Sequence, residues 1–115
     1  MAKNKVYCNC LETVKPVRDT LDVINGKWKL PIIISISVGN DRFTDIQESI
    51  AGITPKVLAK ELKELEGHKL ISRTVIQDYP VKVCYKAEPY ADTLTPIIYA
   101  MKDWGLNHRE KIFRE

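Results

Sequence analysis

The sequence has no long hydrophobic run. Its longest apolar stretch, Leu30 to Val38, is interrupted by Pro31, Ser35 and Ser37, and it is far shorter than the roughly 20 residues needed to span a bilayer. The basic N-terminus is not followed by the apolar block and small-residue cleavage site of a signal peptide. We therefore expect no transmembrane helix and no secretion, with the cytoplasm as the compartment.

Cysteine is scarce and odd in number, with only Cys8, Cys10 and Cys84. Such a set does not look like a disulfide framework, which agrees with a reducing compartment. Metal binding requires more ligands than Cys8 and Cys10 supply, and His68 and His108 have no metal-like spacing to them or to each other. We expect no metal site and no cofactor.

The composition also lacks the bias of disordered or fibrous proteins. With five Gly, six Pro, 44% hydrophobic and 29% charged residues, it is that of an ordinary folded protein. At 115 residues the chain is large enough for one core. We expect a flexible N-terminal arm over residues 1–14 and one domain over residues 15–115. A net charge of +3 permits a polyanionic partner without requiring one.

Helical patterns occupy the first half of the expected domain. Apolar residues recur at helical spacing after Pro16, and Asn25-Gly26 ends that run, which predicts a first helix. The nearly continuous apolar run from Lys27 to Val38 fits either a buried strand or a buried helix. We interpret it as a helix, because Pro31 falls in its first turn, where a helix accepts proline.

The sequence indicates two further helix starts. Arg42 and Phe43 favour a short strand segment, and Thr44 then favours the cap of a short helix. Thr54-Pro55 is a strong helix start, because threonine caps a helix and proline fits its first position. We therefore predict two short helices that are separated by a tight turn containing glycine.

The helix predicted from Thr54 to Glu66 has two contrasting faces. Leucines lie on one face at i, i+4 and i+7 spacing, and lysines project from another. The leucines are Leu58, Leu62 and Leu65, and the lysines are Lys56, Lys60 and Lys63. Between Thr54 and Lys86, seven basic residues stand against four acidic ones. A row of lysines is by itself also the ordinary pattern of a solvated helix face.

The second half predicts a hairpin and a last helix. Alternating β-branched segments at Leu70 to Ile76 and Val81 to Lys86 flank a turn with proline, and the last helix begins at about Asp92. That helix carries more apolar residues than one narrow stripe needs, which favours a dimer; they are Leu94, Ile97, Ile98, Met101 and Trp104.

The order of these elements indicates an α+β, mainly α fold. Two short helices joined by a tight turn and followed by a hairpin form a winged helix-turn-helix, here with a two- to three-stranded wing. In that layout the second helix enters the major groove of DNA and the hairpin approaches the neighbouring backbone. The sequence therefore predicts a DNA-binding protein in which the helix from Thr54 to Glu66 reads the groove.

Five short motifs support this interpretation in combination. They are Gly26-Lys27-Trp28, Arg42 to Ile46, Gly52 to Leu58, Glu61 to Leu65, and Gly67 to Ser72 ahead of a proline-containing hairpin and Tyr85. Together, over roughly residues 15 to 106, they resemble the HxlR family of bacterial and archaeal regulators. The resemblance implies a homodimer that acts on promoter DNA, often in response to oxidants or electrophiles.

The resemblance also assigns residues to two surfaces. It implies a DNA-facing set of Arg42, Thr54, Pro55, Lys56, Lys60, Lys63 and Lys82, the last of which stands in the wing where the family usually has arginine. It implies a dimer interface built by the terminal helices, with Val17, Leu21, Trp28, Leu94, Ile97, Ile98, Met101 and Trp104. For Trp28, we favour a packed core aromatic near that interface.

The sequence departs from the family at its usual sensor. Many members carry Cys-Pro-Val before the first helix, whereas this chain has Lys15-Pro16-Val17. Cys8 and Cys10 lie nearby, and the basic residues around them favour reactive thiolates. They are therefore candidates for redox sensing, with incidental cysteines as the alternative. The family tends to have Pro-Pro-Arg in the wing and Ser-Leu-Thr before the last helix, whereas this chain has Pro80-Val81-Lys82 and Lys86-Ala87-Glu88. These departures bear on the contacts of the wing with DNA.

Two other functions remain as alternatives. A winged helix can dock a protein partner without specific DNA binding, and the glutamates among the lysines of the groove-reading helix leave that open. A thiol enzyme using Cys8 and Cys10 would need a pocket, a base and a phosphate loop that the sequence does not offer. We therefore expect no enzymatic activity.

Overall fold

The computed structural model describes residues 10–114, with side chains from residue 12 onward. In chain order the elements are α1 (Cys10–Ile24), α2 (Lys29–Ser37), α3 (Phe43–Ser49), α4 (Pro55–Gly67), β1 (Ile71–Ile76), β2 (Lys82–Ala87), a 3-10 helix (Pro89–Leu94) and α5 (Thr95–Arg114). Two short helices, α3 and α4, precede an antiparallel hairpin. The predicted winged helix-turn-helix fold is confirmed, with two strands in the described wing.

Helix α1 begins earlier than predicted. It starts at Cys10 and runs through Pro16, so residues 10–14 of the predicted N-terminal arm are helical. A proline inside a helix removes one N–H donor. Here Pro16 lies on an exposed stretch of the helix. The predicted end is confirmed, because Gly26 adopts a φ of 78° directly after the helix.

Helices α2 and α3 confirm one prediction and correct two. The apolar run is a buried helix, as predicted, with Ile32, Ile33 and Ile36 in the core. No strand forms at Arg42 and Phe43, since Arg42 is the extended residue before α3 and Phe43 is its first residue, so the predicted cap at Thr44 is wrong as well. A single backbone hydrogen bond, from Tyr85 N–H to the Asp41 carbonyl (2.8 Å), joins this segment to β2.

A chain of hydrogen bonds fixes α3 against α2. The Ser49 hydroxyl donates to the Ile46 carbonyl (2.8 Å). Ser35, which is buried, lies 2.6 Å from Ser49, and because the Ser49 proton is already in use, Ser35 is the donor. Asn40 in turn donates its amide to the Ser35 oxygen (3.1 Å). The buried Ser35 hydroxyl is thereby satisfied, and the first helix of the helix-turn-helix has a defined orientation.

Helix α4 and the hairpin follow the sequence prediction closely. The Thr54 side chain accepts from Val57 N–H (3.2 Å), and Pro55 occupies the first turn. The helix continues to Gly67, after which Lys69 adopts a left-handed φ of 65° and turns the chain into β1. Strands β1 and β2 pair antiparallel, from Ile71 opposite Ala87 to Ile76 opposite Lys82.

The core lies between α2, α3, α4 and β1. Its most completely buried side chains are Ile32, Ile46, Leu58, Leu62, Leu65, Leu70 and Ile71. At the predicted start of the last helix the chain instead forms the 3-10 helix, which buries Ala91 and Leu94. Helix α5 then contributes no buried residue. The core therefore fixes the helix-turn-helix and the wing, while α5 lies on its outside.

One charged side chain is buried beside this core. The Lys29 side chain is only 4% exposed, and its ammonium lies 2.6 Å from Glu61 and 2.7 Å from Glu64. Asn25, at the end of α1, accepts a longer hydrogen bond from it (3.4 Å). The contact joins the start of α2 to the middle of α4. A buried charge is tolerated only when it is paired and hydrogen-bonded in this way.

The pair raises one pKa and lowers another. Burial alone lowers the pKa of Lys29, but hydrogen bonds to and attraction by Glu61 and Glu64 outweigh it, so the pKa lies above its usual value. The hydrogen bond from Lys29 and its charge hold the pKa of Glu64 below its usual value. The stability from Lys29 is therefore lost as the pH rises above 10.5, and that from Glu64 is lost as it falls below 4.5.

We expect Lys29→Met to lower the free energy of unfolding by about 3 kcal/mol at pH 7, because two carboxylates lose their buried partner. The difference from the wild type should shrink on acidification below pH 4.5, where the stability that Glu64 gains from Lys29 is lost. Urea unfolding followed by circular dichroism at pH 7 and pH 3 measures both effects. Lys27→Met, which removes a solvated lysine 4.7 Å from the Trp28 ring, is the matched control. Equal losses in both variants would contradict the assignment.

Candidate nucleic-acid interface

The exposed face of α4 carries a row of lysines. Since Leu58, Leu62 and Leu65 are buried, the helical spacing of Lys56, Lys60 and Lys63 places the lysines on the opposite side. All three lysines are exposed. The three predicted lysines therefore lie together on one face of α4. The diameter of an α-helix fits the major groove of DNA.

The first turn of α4 is partly occupied by its own cap. The Thr54 oxygen accepts from Val57 N–H, and the Thr54 carbonyl accepts from Leu58 N–H (2.9 Å). Pro55 has no N–H, so in the described chain the N–H of Lys56 is the one backbone donor of this turn without a protein acceptor. The Thr54 hydroxyl still has its own proton to donate. The turn thus presents one backbone and one side-chain donor beside the Lys56 ammonium.

An open groove runs between α4 and the wing. It has a volume of about 290 Å³ and is lined by Ala59, Leu62, Lys63, Glu66, Arg73 and Tyr85. Arg73 and Tyr85 are directly opposite in the β1–β2 register, so both side chains stand on the strand face that borders α4. Within residues 10–114, neither Lys63 nor Arg73 lies within ion-pair distance of a carboxylate. The groove brings two free cations together.

The sequence-based site set did not include Arg73. Arg73 is one of the seven basic residues between Thr54 and Lys86, but its place in the site depends on which face of β1 it lies on. The usable signal is alternation: Arg73 lies two residues from the buried Ile71, so the two share one face of β1. That face is the one that packs on α4.

Lys82 and Arg42, the two other basic residues predicted to contact DNA, are less accessible than the α4 lysines. The Lys82 ammonium lies 3.9 Å from the Asp78 carboxylate within the hairpin, and its side chain is about half exposed. Arg42 is half-buried in front of α3. The hairpin tip instead exposes Tyr79 completely, and its N–H bonds the Asp78 carboxylate (2.8 Å). Of the predicted cations, the α4 lysines are therefore the most accessible.

The apolar residues assigned to a dimer interface fall into two groups. Leu94 is buried in the core, and Trp28 and Ile98 are half-buried against it. The other five are exposed on α1 and α5: Val17, Leu21, Ile97, Met101 and Trp104. The exposed surface also includes large residues that the sequence analysis did not assign, namely Tyr99, Leu106, Ile112 and Phe113 on α5.

The thiols and possible metal ligands add no site within the described chain. Cys8 lies outside the described residues, and Cys10 is the first residue of α1, with its side chain outside the described set. The thiol of Cys84, in β2, is half-buried. Residues 10–114 contain no group of three or more His, Cys, Asp or Glu side chains that could hold a metal ion. None of the helices in that range is long and apolar enough to cross a membrane.

Comparisons with known proteins agree with this geometry. The family model of the HxlR-like helix-turn-helix matches residues 23–113. The uncharacterized HTH-type transcriptional regulator YdeP of Bacillus subtilis (strain 168) is 38% identical over 97 residues, which cover 84% of this chain and 76% of YdeP.

Solved structures share the fold along most of the chain. The reduced form of the redox regulator HypR has a TM-score of 0.78 at 36% identity and covers 87% of this chain and 99% of its own. The reduced form of the transcriptional regulator YodB from B. subtilis has a TM-score of 0.70 at 31% identity and covers 77% of this chain and 87% of its own. The similar proteins are regulators and not enzymes. The chain belongs to the HxlR-like helix-turn-helix family of transcriptional regulators.

Proposed function

We propose that the protein is a sequence-specific DNA-binding transcriptional regulator that acts as a homodimer in the cytoplasm. The observation that carries the proposal is the exposed row of Lys56, Lys60 and Lys63 on α4, directly opposite the leucines that hold this helix in the core. The buried face fixes the helix, and the opposite face is free to enter the major groove.

In this site, contacts to phosphates contribute affinity and contacts to base edges contribute specificity. Lysine and arginine side chains at phosphates release condensed counterions, which gives a strong but sequence-independent and salt-dependent attraction. Base edges are read by the residues at the start of the helix, where Thr54 and Lys56 present donors. Lys63 and Arg73, on the two sides of the groove, fit the phosphate backbone between α4 and the wing. Lys82 and Tyr79 extend that contact along the hairpin.

We expect Lys56→Ala with Lys60→Ala to keep the fold, because both side chains are exposed, and to weaken binding to a cognate DNA fragment by about tenfold or more at low salt. The slope of log affinity against log salt should flatten by about one for each phosphate contact that is lost. Fluorescence anisotropy at several salt concentrations measures both quantities.

The control for charge is Lys102→Ala with Lys111→Ala, which removes the same charge from α5. We expect that variant to bind DNA nearly as the wild type does. Loss of affinity that is equal in the two double variants would refute α4 as the DNA-facing helix. A wild-type protein that enriches no fragment from random genomic DNA at low salt would favour the protein-interaction alternative over DNA binding.

The dimer is proposed from the apolar surface of α1 and α5. Helix α5 has 20 residues and none of them is buried, although a solitary helix gains most of its stability by packing an apolar face. Trp104, 67% exposed, and Met101 lie on the same side as Ile97. A second copy of the chain would cover this surface and set two α4 helices side by side.

We expect Met101→Glu with Trp104→Glu to weaken self-association by about a hundredfold, because it places charges in an apolar contact. Size-exclusion chromatography with light scattering should give a dimer for the wild type and a monomer for the variant. Tyr79→Glu, a charge on the fully exposed wing tip, is the control that should stay dimeric. A monomeric wild type at the highest concentration measured would contradict the dimer.

We further propose that Cys8 and Cys10 make DNA binding responsive to oxidants or electrophiles. The two cysteines are flanked by Lys3 and Lys5, and neighbouring positive charge favours the thiolate. Two similar structures are the redox regulator HypR and diamide-treated YodB. A diamide effect on DNA affinity should disappear in Cys8→Ser with Cys10→Ser and survive in Cys84→Ser. An effect that survives loss of the first two thiols would overturn the assignment.

A further inference from the structure

The buried ammonium of Lys29 acts on the helix that carries the lysine row. It holds the carboxylates of Glu61 and Glu64, whose side chains are 13% and 43% exposed. Two acceptors share one cation at 2.6 and 2.7 Å. Within residues 10–114 no second cation lies within ion-pair distance of Glu61, so Lys29 is its compensating charge.

The side-chain charges of α4 do not favour DNA on their own. The helix carries three lysines, Lys56, Lys60 and Lys63, and three glutamates, Glu61, Glu64 and Glu66. Their formal charges cancel. Lys29, which lies outside α4, restores a positive excess, and it does so next to Glu61 and Glu64. The field on the exposed face of α4 therefore depends on a residue of another helix.

Glu64 is also in reach of a lysine of the exposed row. Its other oxygen lies 4.0 Å from the Lys60 ammonium, at i,i+4 spacing, and the Lys60 side chain is 69% exposed. Lys29 engages Glu64 much more closely, at 2.7 Å. When Lys29 is removed, Glu64 is free to pair with Lys60 and to draw it away from a phosphate. Lys29 thus keeps Lys60 available.

We propose that Lys29 is a positioning residue for DNA recognition, which sets the affinity of α4 for DNA from inside the domain by compensating Glu61 and withholding Glu64 from Lys60. This inference rests on the proposed DNA-binding function. A purely structural role would stabilise the fold and leave the affinity of folded protein unchanged. The two roles differ in their response to salt and in their response to removal of the glutamates.

The test compares the DNA affinities of three folded variants with that of the wild type. Lys29→Met should bind a cognate fragment about fivefold more weakly at 0.1 M salt, and the ratio to wild type should approach one as added salt screens the uncompensated carboxylates. Lys27→Met, which removes a lysine outside the pair, should change affinity less than about twofold. The triple variant Lys29→Met, Glu61→Gln, Glu64→Gln should bind at least as tightly as the wild type, because it removes both negative charges together with the positive one, although the ion pair is not restored.

Circular dichroism establishes the folded fraction of each variant at the binding temperature. If Lys29→Met does not fold, the double variant Glu61→Gln with Glu64→Gln tests the proposal instead. We expect it to bind DNA more tightly than the wild type, and an unchanged or weaker affinity would overturn the proposal. A folded Lys29→Met with unchanged affinity, or a triple variant that stays weak, overturns the proposal. If the wild type itself binds no DNA fragment, the proposed function has failed and this role fails with it.

Discussion

The ammonium of Lys29 is the point at which three segments of the chain meet. It lies at the first turn of α2, bonds two carboxylates of α4 and reaches Asn25 at the end of α1. Because the ion is almost fully shielded from water, its partners have little freedom to move away without leaving a buried charge unpaired. The rotation of α4 about its own axis, and hence the direction of its lysine row, is tied to this contact and to the leucines beside it.

This contact changes how the glutamates of α4 contribute to the charge of its exposed face. In the sequence alone they weaken the positive field of the helix and leave room for a function without DNA. In the structure Glu61 and Glu64 bond to Lys29, and Glu66 is the one that borders the groove with Lys63 and Arg73. The helix therefore presents lysines to the outside and turns two of its carboxylates toward a buried partner.

Local chemistry accounts for what could be predicted. Thr54-Pro55 marks a helix start by capping geometry, and the leucine spacing marks its buried face; both features are properties of adjacent residues. Lys29 left no such signal, because its partners are 32 and 35 positions away. For Arg73 the local alternation indicates which strand face it shares with Ile71, but the packing of that face on α4 is a long-range property. The start of α1 was misplaced because proline usually begins a helix, whereas Pro16 lies inside one.

We expect the two α4 helices of a dimer to enter successive major grooves. Hydroxyl-radical footprinting with methylation interference, on a fragment selected from genomic DNA, tests it directly. We expect two protected patches on one face of the duplex, with centres about 10 base pairs or a multiple apart, and loss of binding when guanine N7 in the major groove of either patch is methylated. A single protected patch, or binding that is indifferent to N7 methylation, would contradict it.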